Sequence, residues 1–317
     1  MNTTSILSKT ITAAATLLLC GMAAHAASLR NGSSAGEGEL FIGIHATGGT
    51  GVGNSIVIDA GLVSNLSLLA AGASQSLGSI GVNLENTFGI TAGSSIAWYE
   101  RTDLFFAAVA AVQNTQTVPA VDPTNTLYGS VSGSGTWPLS TVAYTRAANT
   151  AQSNVAGRII TMASGISGSF TTAPQGATSN IALEGTSDAN SWASWMPGGT
   201  NAAGVGNAPF GGFGAPANQQ FEQAFTSGTI TSGVEGALDF YRMYKTGQAD
   251  GDLGGATSGA GSYQFTIEIN SSGNLTAVNL TPVPEPASIC LLITGGLMFL
   301  GSRRRGFGGR TQAASIA

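Results

Sequence analysis

The residues in this chain that could carry chemistry are few, and their types and spacing can be tested one constellation at a time. Glu100 and Asp103 stand close together beside Trp98 and Tyr99, and Asp239 stands near Tyr241 and Tyr244. Glycoside hydrolysis needs two carboxyl groups roughly 5–9.5 Å apart across a sugar, so these three acids are the ones to test for it. An acidic body produces such neighbours by chance, and no enzyme activity is read from them. His45 is the only histidine of the body, so a Ser-His-Asp triad would have to use it. No G-x-S-x-G elbow accompanies it. One histidine without cysteine cannot complete a zinc ligand set. His45 therefore reads as a structural or surface residue beside an apolar strand.

Gly48-Gly49-Thr50-Gly51-Val52-Gly53-Asn54-Ser55 nearly matches a phosphate-binding loop, but Asn54 stands where lysine is required. The segment that follows, 55–58, reads as a strand and offers no helix N-terminus to a phosphate. A glycine-rich hairpin turn is the better reading. Asp250-Gly251-Asp252 could ligate Ca²⁺ through oxygen, but it lacks the spacing of an EF-hand loop and reads as a solvated turn. Trp98, Trp192 and Trp195 are the candidate glycan contacts, because flat rings with a polar handle suit wet interfaces. The competing reading places them in the core of a protein otherwise built from small residues. No cofactor and no metal site are implied.

The elements that must position these residues are mainly strands. Tyr263, Phe265, Ile267 and Ile269 alternate with Gln264, Thr266 and Glu268, the pattern of a half-buried strand. Ser271-Ser272-Gly273-Asn274 is a turn and 275–280 a returning strand, which makes a hairpin. Residues 40–44 and 56–58 predict a strand pair around the glycine turn. Residues 96–99 and 104–112 predict another pair, or one long apolar strand, with 106–112 ambiguous with a helix. Residues 238–244 predict a further strand. Ala148, Ala151, Val155, Ile159 and Met162 form an apolar stripe at helical spacing. A second helix is expected over 216–225, with Phe221 and Phe225 four apart. The Gly/Pro/Asn-rich stretch 196–215 is a loop or a linker. The fold class expected is mainly β, a sandwich or a jelly-roll-like domain, with one or two short helices.

Composition narrows the function classes. Only 9% of the 317 residues are charged, against roughly 25% in ordinary soluble domains. Over residues 27–281, six basic residues against fifteen acidic ones leave a net charge of −9. Such a surface repels nucleic acid, so no nucleic-acid partner is expected. Cys20 and Cys290 both lie outside that segment, which therefore has neither disulfides nor thiol chemistry.

The two ends read as export signals. Lys9 precedes an apolar run over 11–22, and Ala24-His25-Ala26 is an A-x-A cleavage site, so residues 1–26 read as a signal peptide. At the other end Pro284-Glu285-Pro286 precedes an apolar segment, read as a transmembrane helix over 287–302, and then Arg303-Arg304-Arg305. The arginines would stay on the cytoplasmic side as a basic anchor. The chain thus divides into the signal peptide, a mostly β body over 27–281 and a tail over 282–317.

That three-part tail resembles the PEP-CTERM sorting signal of bacterial surface and matrix proteins. The resemblance implies recognition by an exosortase, a membrane transpeptidase that would cut near Pro284-Glu285-Pro286. It implies a precursor held in the inner membrane by the C-terminal helix, then delivery to the cell surface or exopolysaccharide matrix of a Gram-negative bacterium. Twelve residues follow the arginines, more than such tails usually carry. The function expected is an exported structural or adhesive component of that matrix. The alternatives are a carbohydrate-binding module and, third, a secreted hydrolase.

Overall fold

The computed structural model describes residues 38–89, 96–113, 122, 125–133, 135–136, 149–166, 170–171, 181–185, 191–192, 223–225, 233–243 and 262–282. Contacts along the chain divide it into Met1–Leu280 and Thr281–Ala317. Among the described residues no helix is long and apolar enough to cross a membrane. Both end signals lie outside those residues: Ala24, Ala26, Pro284, Glu285, Pro286, the 287–302 helix and Arg303 to Arg305.

The protein is mainly β, as its alternating patterns predict. Nine strands of five residues or more are β1 (Glu39–Ala46), β2 (Asn54–Leu62), β3 (Ser74–Ser79), β4 (Leu104–Val112), β5 (Thr126–Ser132), β7 (Ile181–Gly185), β9 (Gly236–Met243), β10 (Ser262–Ile269) and β11 (Asn274–Val278). Two-residue strands β6 (Phe170–Thr171) and β8 (Gln223–Ala224) complete one antiparallel sheet. Its order is β3-β11-β10-β9-β5-β4-β1-β2-β7-β6, with β8 against β4. Three short segments lie between strands: α1 (Val63–Leu66), α2 (Gly81–Phe88) and a 3₁₀ turn at Trp98–Glu100. The long helix is α3 (Asn149–Ile166).

The expected sandwich needs two packed sheets, and the described strands make one. That sheet encloses its own core by curling. The N-terminus of α2 abuts the β10–β11 turn, where a Cβ on Gly81 would come within 2.2 Å of the Ser272 carbonyl oxygen. Its C-terminus abuts the β1–β2 turn, where a Cβ on Gly51 would come within 2.2 Å of the Thr87 carbonyl oxygen. Those two turns are about five strand spacings apart in the sheet order, or about 24 Å if the sheet were flat. An eight-residue helix is only about 12 Å long, so the sheet has to bend round to meet both of its ends.

The concave face gathers Ile42, Ile44, Ile56, Phe106, Leu238, Phe240, Phe265, Ile267 and Leu275 against Leu84 and Phe88 of α2. Tyr128, Phe240 and Phe265 stack across three adjacent strands at centroid distances of 5.8 and 5.0 Å. On the opposite face Val155, Ile159, Met162 and Ile166 of α3 pack against Phe41, Val109 and Ala111. The helical stripe expected around Val155, Ile159 and Met162 is thus the buried face of α3.

Two covered faces explain the apolar run over 104–112. Leu104, Phe106, Ala108 and Ala110 face one core, while Ala107, Val109 and Ala111 face the other. A strand buried on both sides loses its alternation, which is why the segment looks as much helix as strand. The strand pairs expected at the glycine turn and at 263–280 form in register, with Ile42 opposite Ile58 and Ile267 opposite Ala277.

Two expectations fail locally. Residues 98–100 form a 3₁₀ turn that takes over the end of the strand expected at 96–99, and the Ala97 N–H donates to Glu100 Oε2 at 3.2 Å across it. Gln223 and Ala224, expected in a helix, pair instead with Phe106 and Phe105 of β4. The Phe225 ring explains that choice, since it stacks on Phe106 at 4.4 Å in the concave core.

Candidate functional site

The glycine turn is organised around a cation, the reverse of a phosphate cradle. Gly49, Gly51 and Gly53 take φ of +61°, +79° and +85°, a run that side chains with a Cβ rarely adopt. This turns backbone carbonyls toward Arg101. The Arg101 guanidinium donates to the oxygens of Gly48 and Thr50, both at 2.7 Å, and to that of Phe88 at the end of α2. It also grips both carboxylate oxygens of Asp103, at 2.9 and 2.6 Å. Hydrogen bonds from Arg101 hold the Asp103 carboxyl below the usual carboxylate range. Asp103 is therefore a fixed counter-ion, and Glu100 caps a turn.

Asp239 meets a different setting. It lies on β9, fully buried, opposite Thr266 of β10. Thr266 Oγ1 donates to its Oδ1 at 2.7 Å, while its Oδ2 has no hydrogen-bond partner among the described residues. Gly133 leaves the space it occupies, since a Cβ there would lie 2.8 Å from Oδ1. The Tyr263 hydroxyl lies 3.0 Å from Thr266 Oγ1 and accepts from the Leu280 N–H at 3.1 Å. Burial pushes the Asp239 carboxyl up to about 6, against only partial relief from Thr266. Burial also raises Glu268, with Asp239 adding to it, and pushes the Tyr241 phenol up to about 12.

Asp59 on β2 repeats the pattern. Its Oδ1 accepts from the Gly61 N–H at 2.9 Å, and Oδ2 has no hydrogen-bond partner among the described residues. Burial first, and then the charge of Glu39, push its carboxyl up to about 7. Another acid with a covered side chain, Asp122, accepts from the Tyr128 hydroxyl and lies 3.5 Å from Arg242. Burial still leaves it above its ordinary value. Local spacing carried no signal for Asp59 or Asp122. The polar residue that breaks an apolar strand pattern at Asp59 is the only hint the sequence offers.

The two described tryptophans lie in the core. Trp98 is 4% exposed, edge-on to both Tyr99 and Phe225. Trp192 is fully buried over Gly43 of β1, where a Cβ would sit 1.9 Å from the indole ring. Neither ring presents a face to a glycan, which corrects that reading for these two. Its cause is the small-residue sheet, which needs large rings to fill its volume. Trp195 and Asp250-Gly251-Asp252 lie outside the described residues, as does the 196–215 stretch. His45, on β1, is 2% exposed and stacks with Phe105 of β4 at 6.1 Å.

Among the described residues no group of three or more His, Cys, Asp or Glu is placed to hold a metal ion. In comparison with known proteins, no family model, no curated protein and no solved structure matches this chain.

Proposed function

We propose that this chain is an exported structural or adhesive component of the bacterial cell surface or extracellular matrix, routed there by exosortase processing of its tail. The order of Pro284-Glu285-Pro286, an apolar segment and Arg303 to Arg305, behind an N-terminal signal peptide, carries this reading. The body suits the role. Its Arg101 is spent on bracing the β1–β2 turn and a helix end, and Trp98 and Trp192 on filling cores. Exopolysaccharide is the matrix partner that such an acidic, weakly charged body would meet, with the exosortase as processing partner.

The test is the intact mass and location of the mature protein in its native host. Cleavage after Ala26 and near Pro284-Glu285-Pro286, with recovery at the surface, is the expected result. Deleting residues 284–305 should abolish that delivery. Unchanged mass and location in the truncated protein would refute the reading.

A further inference from the structure

We infer that Asp239, Thr266 and Tyr263 form a reversible hydrogen-bond relay, through which the proton on Asp239 sets how firmly Val278 to Leu280 are held. The inference is independent of how the tail is processed.

The relay runs from β9 through β10 to the end of β11. Thr266 stands opposite Asp239 on one side and Val278 on the other. Its Oγ1 lies 2.7 Å from Asp239 Oδ1. The Tyr263 hydroxyl lies 3.0 Å from the same Oγ1, and either oxygen can be the donor. That hydroxyl also reaches the Val278 carbonyl oxygen at 3.3 Å and accepts from the Leu280 N–H at 3.1 Å. An irregularity between Tyr263 and Phe265 puts the Tyr263 ring beside Tyr241, on the face that carries Asp239. Asp239 and Thr266 are fully buried, so bulk water does not compete for their bond.

Counting protons gives the relay two directions. With Asp239 ionised, Thr266 donates to it. A hydroxyl that donates to a carboxylate becomes a better acceptor, so Tyr263 turns its proton to Thr266 and away from Val278. With Asp239 neutral, the acid needs an acceptor of its own. Oδ2 has none among the described residues, whereas Oδ1 faces Thr266 Oγ1. Asp239 then donates to Thr266, Thr266 to Tyr263, and Tyr263 to the Val278 oxygen. Tyr263 thereby clamps Val278 and Leu280 together.

Glu268 and Tyr241 are the other described titratable groups that sense the Asp239 charge. Arg242 of β9 lies against Asp122, and the β5 neighbours Val131 and Gly133 carry no charge. Burial lifts the Asp239 carboxyl to about 6, so the clamp is closed below that pH and loosened above it. Asn279, between the clamped residues, is tied to Ala73 and Leu69 by bonds without a titratable group, which hold at either pH.

The experiment is amide hydrogen exchange of the full chain in a mild non-ionic detergent between pH 5 and pH 8, corrected for the intrinsic pH dependence of exchange. Peptides from β1 and β4 report global opening, and peptides over 275–282 report the clamp. Relative to the former, protection of the Leu280 amide should fall about fivefold as pH rises, as expected for one weakened hydrogen bond. The midpoint should lie near the Asp239 value of about 6. Thr266→Val should abolish this step and Thr266→Ser restore it. Asp239→Asn should hold protection constant across the range, and Tyr263→Phe should lower it at every pH. Three results would overturn the inference. One is the absence of any step beyond that of the β1 and β4 peptides. Another is a step that survives Thr266→Val. The third is a step that survives Asp239→Asn but vanishes in Glu268→Gln, which would make Glu268 the titrating group.

Discussion

Asp103 and Asp239 differ in what surrounds the same functional group. Asp103 is held by both arms of a guanidinium that also gathers three carbonyl oxygens. Asp239 is more deeply buried and has, among the described residues, one hydroxyl donor and no cation. The first carboxyl is driven down and the second up. An ion pair at a turn braces it in the charged form, whereas an acid sealed between strands is best held with its proton. The Asp103 setting ties the β1–β2 turn to α2 and to the entry of β4. The Asp239 and Asp59 settings make the sheet sensitive to pH.

The sharpest way to break this contrast is to remove the guanidinium. Arg101→Ala strands Asp103 and three carbonyls at once, and a loss of about 3 kcal/mol in urea unfolding is expected. Arg101→Lys should recover less than half of it, since an ammonium cannot reproduce the fork. A loss below about 1 kcal/mol would make the clamp a mere surface contact.

The next effect is a pH dependence of stability. Asp59 and Asp239 bind their protons more tightly folded than unfolded, with folded values of about 7 and about 6 against an ordinary 3.8. Their contribution is complete below the unfolded value and lost as pH rises through 6 to 7. The thermal midpoint should therefore fall between pH 5 and pH 8, by an amount on the order of 2–4 kcal/mol in stability. Asp103 works in the opposite sense, its contribution being lost only as pH falls through its depressed folded value, outside this window. Asp59→Asn and Asp239→Asn should each flatten the slope and stabilise the protein at pH 8. A slope unchanged in both variants would show that neither acid is the source.

The smallest expected effect isolates the single donor to Asp239. Thr266→Val keeps the shape and removes the hydroxyl, so a loss of about 1 kcal/mol is expected at pH 8. The alkaline midpoint of the pH slope should also move upward, because Asp239 loses the bond that favours its charged form. Identical pH profiles for the two proteins would show that the Thr266 bond does not set the Asp239 proton affinity.

Much of the sheet was legible in advance. The alternation at 265–269 sets which side chains of β10 face the concave core, while an irregularity at Gln264 turns Tyr263, expected on that face, to the opposite one; the glycine turn marks the β1–β2 hairpin. The apolar stripe at Val155, Ile159 and Met162 marks the face α3 buries. The misreadings share a cause. Residues 98–100 and 223–225 adopt conformations set by distant partners, Trp98 and Phe225 meeting edge-on at 5.4 Å across the core. The single curled sheet was equally out of reach, because strand order depends on pairings such as β5 with β9 that lie far apart in the chain.

The sequence by itself determined where β1, β2, β4, β9, β10 and β11 run, most of the apolar faces of those strands, and that the body is acidic, poor in charge and without cysteine. Side-chain alternation and composition are local properties, so they need no partner to be read. Only the tertiary structure decided what each polar residue is for. Arg101 reaches Gly48 across 53 positions of chain, Asp239 reaches Thr266 across 27, and Trp192 lies over Gly43, a strand glycine with no Cβ to hold its ring away. Whether a carboxyl meets a guanidinium or a sealed core is set when the sheet closes, and no spacing along the chain encodes that meeting.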